Sequence, residues 1–371
     1  MKKRLFLILI IICSVFLITS CKKDKSDDII VYDTKRVVLF IGDGMGKNHI
    51  SVSEAYFETD YAFTNFPYKG EVVTQSLAFS GVTDSAAAAT AMATGEKVAN
   101  SAIAMKETDV KFKYEDIKSI SEYAKEAGYG VGIVTSDTLN GATPAAFSAH
   151  AQDRGKTLDI LLSQINSNID LLIGQINNIY QMNYISFLPK GYTYVDKFED
   201  LNNTSGKILA CFEEIGYDNH TSTTPTLSKL TEFAINYFEK NYPQGYFLMI
   251  EGAHIDKVSH NNEIFEMVNY LNEFSNSIDT AKAMLDKFSS YTMIVTADHE
   301  CGDLQYNGES KAQITKDLYS SKDHTKQNVP YYITTKFKAD YYDALVEVLL
   351  GKVEVYDNTD IFKICKALLK L

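Results

Sequence analysis

The chain has 371 residues, 45% hydrophobic and 23% charged, enough to bury a sizeable core in one large α/β domain or two smaller ones. A formal net charge of −12 at pH 7 excludes the basic face that a nucleic-acid binder requires, and no nucleic-acid partner is expected. It leaves room for clustered carboxylates that hold metal ions.

Lys2, Lys3 and Arg4 precede an apolar run from Leu5 to Ile18, and "LITSC" closes it. The run is shorter than the roughly 20 residues of a spanning helix, so the pattern predicts a secretory signal over residues 1–20. Cys21, directly after Ile18-Thr19-Ser20, resembles the cysteine of a bacterial lipobox. That resemblance implies a lipid on Cys21, a charged tether over residues 21–35 and a periplasmic or cell-surface location, with the lipid as the membrane contact. One domain is expected over residues 36–371. Beyond Cys13 and Cys21, the body holds Cys211, Cys301 and Cys365, an odd number spaced far apart. No disulfide framework follows, and these three are read as buried thiols.

"RVVLFIGDGMG" (36–46) predicts a buried strand running into Asp43. "GVTDSAAAATAMATGEK" (81–97) then places Asp84 and Ser85 at the mouth of a helix of alanines, the best helix former. Such a start aims free backbone N–H groups and a positive dipole end at an anion, or at a serine that must become an alkoxide. On this stretch alone, Ser85 could equally be the cap of a buried helix. "GVGIVTSDT" (130–138), "IDLLIG" (169–174), "YFLMIEGAHID" (246–256) and "YTMIVTADHE" (291–300) predict further strands. Helical periodicity fills residues 115–127 and 261–287. Residues 176–245, rich in Asn, Tyr and Thr, read as surface helices and loops. Strands alternating with helices predict an α/β fold, a large, mostly parallel central sheet sandwiched between helices. In such sheets ligands bind beyond the carboxyl ends of the strands. Asp43, Glu251, Asp256, Asp298 and His299 all fall there.

Asp256 and His260 lie four apart; on a helix they share one face and form a chelating pair suited to zinc. Glu251 points into the same pocket from the strand before them, Asp298 and His299 end another strand, and His324 precedes a further apolar segment. His49, His150, His220 and His254 are read as structural. So many acids at three strand ends would repel one another unless cations neutralised them.

"IGDGMG", "TDSAAAATAMATG", "GATPAAFSAHAQDR", "EGAHIDK" followed by His260, "TADH" and the "HT" of His324 with its later "VP" resemble, in order, the motif set of bacterial alkaline phosphatases. The similarity spans residues 36–335. It implies Ser85 as nucleophile and Arg154 as the arginine that grips phosphate. It implies two zinc ions, one on Asp256, His260 and His324 and the other on Asp43, Asp298 and His299. A magnesium ion is implied on Asp43, Thr143 and Glu251. The implied reaction is phosphomonoester hydrolysis through a phosphoserine. Relatives place an acid or histidine two residues before the magnesium-site threonine, where this chain has Gly141. With no partner at that position, Lys257 is expected to turn toward the bound phosphate and join the catalytic groups. The competing readings are a phosphodiesterase of the same superfamily and a metal-binding surface lipoprotein that has lost catalysis. Thr143, Glu251 and Arg154 together favour a monoesterase, and the intact Ser85 argues against a silent binder. The substrates the resemblance implies are phosphate monoesters, and a homodimer is compatible with the chain.

Overall fold

The computed structural model describes residues 36–218, 224–337, 343–347 and 355–371. The expected signal segment and the expected tether with Cys21, and also His220, lie outside the described residues.

The run Arg36–Gly42 forms β1, and Val37 through Ile41 are fully buried. A strand buried on both faces shows a continuous apolar run rather than alternation, because helices cover the sheet on each side. β9 (Tyr246–Gly252) and β10 (Thr292–Ala297) flank β1 in parallel, with Val37 opposite both Phe247 and Thr292. β5 (Gly130–Thr138) and β6 (Leu171–Gln175) continue the parallel set beyond β9.

Residues 176–245 depart from the expectation of surface decoration. They contribute β7 (Tyr192–Val195) and β8 (Lys207–Phe212), which extend the parallel sheet beside β6. They also supply the helix Leu227–Asn241, which packs on β5. "KILACF" is a short apolar run between polar neighbours, and its length alone does not separate a buried strand from a loop anchor. On the other side, β11 (Val329–Thr335) runs antiparallel to β10, and β2 (Tyr68–Val73) is antiparallel to β11. β12 (Tyr356–Asp357) completes a ten-stranded sheet in the order β12-β2-β11-β10-β1-β9-β5-β6-β8-β7. A short hairpin of β3 (Met105–Glu107) and β4 (Tyr114–Asp116) stands apart from it. The fold is therefore mostly parallel between helices, as predicted, with β11 the strand that runs against its neighbours.

The alanine stretch forms the helix Ser85–Thr94, and every residue in it is buried. It packs against the helices Asn358–Leu368 and Ala142–Ala146. Small side chains allow that close approach on all sides. Cys211, Cys301 and Cys365 are buried and unpaired.

Candidate active site

Three adjacent parallel strands deliver acids to one point. Asp43 follows β1, Glu251 lies near the end of β9, and Asp298 with His299 follows β10. Gly44 makes the turn after Asp43 with φ +72°, and a Cβ there would sit 2.8 Å from the Asp256 Cα. Only glycine permits both the left-handed turn and this approach. The Gly44 N–H donates to Asp298 Oδ1 at 3.1 Å, tying the ends of β1 and β10 together.

Asp256 rides the helix His254–Ser259, with His260 as its C-cap, so the expected helical pairing is present. His260 Nε2 lies 3.3 Å from Asp256 Oδ2, and His324 Nε2 lies 3.5 Å from Asp256 Oδ1. His324 Nδ1–H donates to the Thr83 carbonyl at 3.0 Å, and His260 Nδ1–H donates to the Lys322 carbonyl. Carbonyls only accept, so both rings keep a proton on Nδ1 and turn Nε2 to the pocket, the nitrogen left for a metal once its own proton is lost. The Nε2 of His299 sits 3.2 Å from Asp298 Oδ2 and 3.4 Å from Asp43 Oδ1. The rings of His299 and His324 stack at 3.5 Å, which brings the two halves of the site into contact.

Ser85 meets this cluster. Its Oγ lies 3.2 Å from His299 Nε2 and its side chain is buried. Asp84 is the cap of the alanine helix, accepting from Ala87 N–H at 3.0 Å, which leaves the Ser85 hydroxyl free of capping. The other Asp84 oxygen accepts from Ser101 N–H at 3.0 Å and faces Arg154 Nη1 at 3.5 Å. Arg154 is thereby held at the mouth of the same helix.

The electrostatics call for cations. Among the described residues, Asp43 Oδ1, Asp256 Oδ1 and Asp298 Oδ2 are buried with only imidazole Nε2 atoms beside them, at 3.4, 3.5 and 3.2 Å. Burial, with the charges of Asp298, Asp256 and Glu251, pushes the Asp43 carboxyl well above its usual range. Burial and the nearby Asp137 charge push Glu251 up to about 8. Burial also works against the charged form of Asp256, but bonds from His260 and His324 outweigh it and hold its carboxyl well below the usual range. Among the described residues, two groups each have donor atoms within 4.8 Å of one another: Asp256, His260, Cys301 and His324 form one, and Asp43, Asp256 and His299 the other. Unpaired buried oxygens at such spacing, with imidazole nitrogens beside them, fit divalent metals.

Thr143, on the helix Ala142–Ala146, is buried, its Oγ beside the Glu251 carboxylate. Lys257 departs from expectation. Its ammonium pairs with Asp137, so Gly141 does not leave it without a partner, and its turn toward phosphate loses its premise. Asp137 escaped the sequence reading because it lies in the strand run "VTSDT", away from the motif threonine. Cys301, read as a plain buried thiol, has its sulfur among the Asp256, His260 and His324 donors. His49, His150 and His254 hold structural positions. His49 is buried beside the Ser259 hydroxyl, His150 spans the Ala104 carbonyl and Glu122, and His254 stacks on Tyr270.

The family model described as alkaline phosphatase matches residues 34–179 and 177–366. Alkaline phosphatase 3 of Bacillus subtilis (strain 168) is 31% identical over 302 residues, covering 76% of this chain and 63% of that protein. The alkaline phosphatase of Schizosaccharomyces pombe is 30% identical over 312 residues, covering 73% of this chain and 56% of that protein. The chain thus spans less than two thirds of the length of these curated relatives. Alkaline phosphatase from the Antarctic bacterium TAB5 superposes with a TM-score of 0.76 at 25% identity, covering 92% of this chain and 99% of that one. A variant of that TAB5 enzyme is described with Mg bound in the M3 site.

Proposed function

Because the chain belongs to the alkaline phosphatase family, we propose that it is a metal-dependent phosphomonoester hydrolase with Ser85 as nucleophile. The observation that carries this reading is the placement of Ser85. Its hydroxyl is buried, relieved of capping by Asp84, and set at a helix N-terminus 3.2 Å from His299. Nothing in a purely structural helix start requires that company.

Asp256, His260 and His324 would hold one zinc, and Asp43, Asp298 and His299 the other. Thr143, Glu251 and Asp43 would hold magnesium. When bound, the ions supply Lewis acidity that lowers the pKa of the serine hydroxyl and stabilises the leaving alkoxide. The protein's own residues do the rest. Ser85 Oγ bonds to phosphorus as the ester P–O bond breaks, giving phosphoserine and the free alcohol. Water then cleaves the phosphoserine, returning the hydroxyl and releasing inorganic phosphate. Arg154, steadied by Asp84, offers two parallel N–H donors to nonbridging oxygens, which a lysine cannot match. The free N–H groups at the start of the helix Ser85–Thr94 add to the anion field.

Ser85→Ala tests the proposal. Turnover of p-nitrophenyl phosphate should fall by at least about a thousandfold while zinc stays near two per chain. Wild-type turnover in that variant would refute the phosphoserine route. A wild-type preference for bis-p-nitrophenyl phosphate over the monoester would instead support the diesterase reading.

A further inference from the structure

Gly141 has φ −54° and ψ 153°, a conformation open to any residue, so the backbone gives no reason for glycine here. The surrounding space does. A Cβ at Gly141 would stand 2.7 Å from Asp137 Oδ2, 3.0 Å from the Thr138 carbonyl oxygen and 3.3 Å from Asp137 Cγ. The Asp137 carboxylate occupies the place that a side chain at position 141 would take.

Asp137 reaches that place through an irregularity in β5, whose register against β6 shifts between Val134 and Thr138. Thr135 steadies the bend. Its hydroxyl accepts from the Asp137 N–H at 2.9 Å and donates to Glu251. Asp137 Oδ1 pairs with the Lys257 ammonium, and Asp137 is mostly covered, its side chain 18% exposed. Thr143 Oγ is buried in the same corner, within reach of the Glu251 carboxylate. Two carboxylates, a buried hydroxyl and a lysine therefore converge where relatives, by the sequence resemblance, use an acid or histidine at position 141.

We propose that Asp137 is the relocated outer anchor of the third cation site. Its carboxylate, entering from β5 rather than from position 141, fixes Lys257 and completes the cradle of Glu251 and Thr143 for a magnesium ion. This inference rests on the metal reading given under Proposed function. Asp137 is a positioning residue, and its carboxylate, with the Thr138 carbonyl, fills the space a side chain at Gly141 would take.

The test is magnesium binding to the full chain loaded with zinc, followed by titration calorimetry together with zinc content by mass spectrometry. Asp137→Ala should weaken magnesium by roughly 10- to 100-fold while zinc stays near two per chain. Asp137→Asn, which keeps the volume, should behave alike and controls for misfolding. Gly141→Asp alone should crowd Asp137 and gain no affinity. In the Asp137→Ala background, Gly141→Asp should recover most of the lost affinity. Unchanged magnesium affinity in both Asp137 variants, or no recovery in the double variant, overturns the relocation while leaving the third site standing. A zinc-loaded wild-type protein that binds no magnesium overturns both the relocation and the third site.

Discussion

Removing the metals should destabilise the protein, and by more as pH rises. An ion present at about a thousandfold its Kd adds about 4 kcal/mol of stability, so two zinc ions add about 8 kcal/mol. Unfolding entropy near 2.1 cal/mol/K per residue gives roughly 0.7 kcal/mol/K over the domain, so a chelator should lower Tm by roughly 10 °C. Buried His49 and His254, held down to about 4, favour the fold as pH rises to 6.5, and above that the sign of the pH effect follows from Glu251 and His260. In the metal-free fold Glu251 keeps its proton up to about pH 8, because burial and Asp137 disfavour its charge, against 4.5 in the unfolded chain. The folded form then binds more protons between those values, and stability falls as pH rises across that window. The metal-free Tm should therefore fall across that window. His260 acts in the same direction. Its bond to Asp256 raises it to about 9, so the stability it adds is whole below 6.5 and lost as pH rises through 9. Bound cations need both groups deprotonated and reverse this trend. Scanning calorimetry at pH 6, 7.5 and 9, with and without chelator, should show the gap in Tm widening with pH. A metal-free Tm that is flat or rising between pH 6 and 8 would refute the reasoning.

Arg154→Ala should lose about 2 to 4 kcal/mol of transition-state stabilisation, the range for a charge-assisted bidentate contact in a desolvated site, and weaken inhibition by inorganic phosphate. Unchanged phosphate inhibition would mean that Arg154 leaves Asp84 for something other than substrate. Gly44→Ala combines a strained φ of +72° with a Cβ 2.8 Å from Asp256, and should cost about 2 to 4 kcal/mol and drop zinc below two per chain. A variant with an unaltered melting curve and full zinc would show that the turn yields more easily than its geometry implies.

Much of this molecule was legible because its chemistry sits at element ends. Asp43, Asp298 and His299 follow runs so apolar that their strand character is plain, and parallel sheets present strand ends on one side. Asp256 and His260 were legible from spacing alone. The strands of residues 176–245 were not, because "KILACF" is too short for periodicity to distinguish its possible structures. Nor was β11 legible as the reversed strand, since direction depends on connections that leave no local trace. Asp137 was hidden for a different reason. A residue's reach depends on the bend of β5 and on the absence of a side chain at Gly141, and neither is a pattern along the chain.

The alanine helix shows how the parts depend on one another. Its residues are plain because the helix Asn358–Leu368 on one side and Ala142–Ala146 on another leave no room for bulk. That enclosure fixes the axis, and the axis fixes where Ser85 meets His299. Asp84 then does two jobs with one carboxylate, capping the helix with one oxygen and facing Arg154 with the other. The helix Ala142–Ala146 that packs against the helix of Ser85 also carries Thr143, so the Thr143–Glu251 corner and Ser85 are set by one packing interface. Lys257, held by Asp137, sits one residue from Asp256, which joins the corner to the Asp256, His260 and His324 side of the pocket. A shift at Asp137 would therefore be felt first at Lys257 and the proposed magnesium corner, and only through the helix His254–Ser259 at Asp256 and His260.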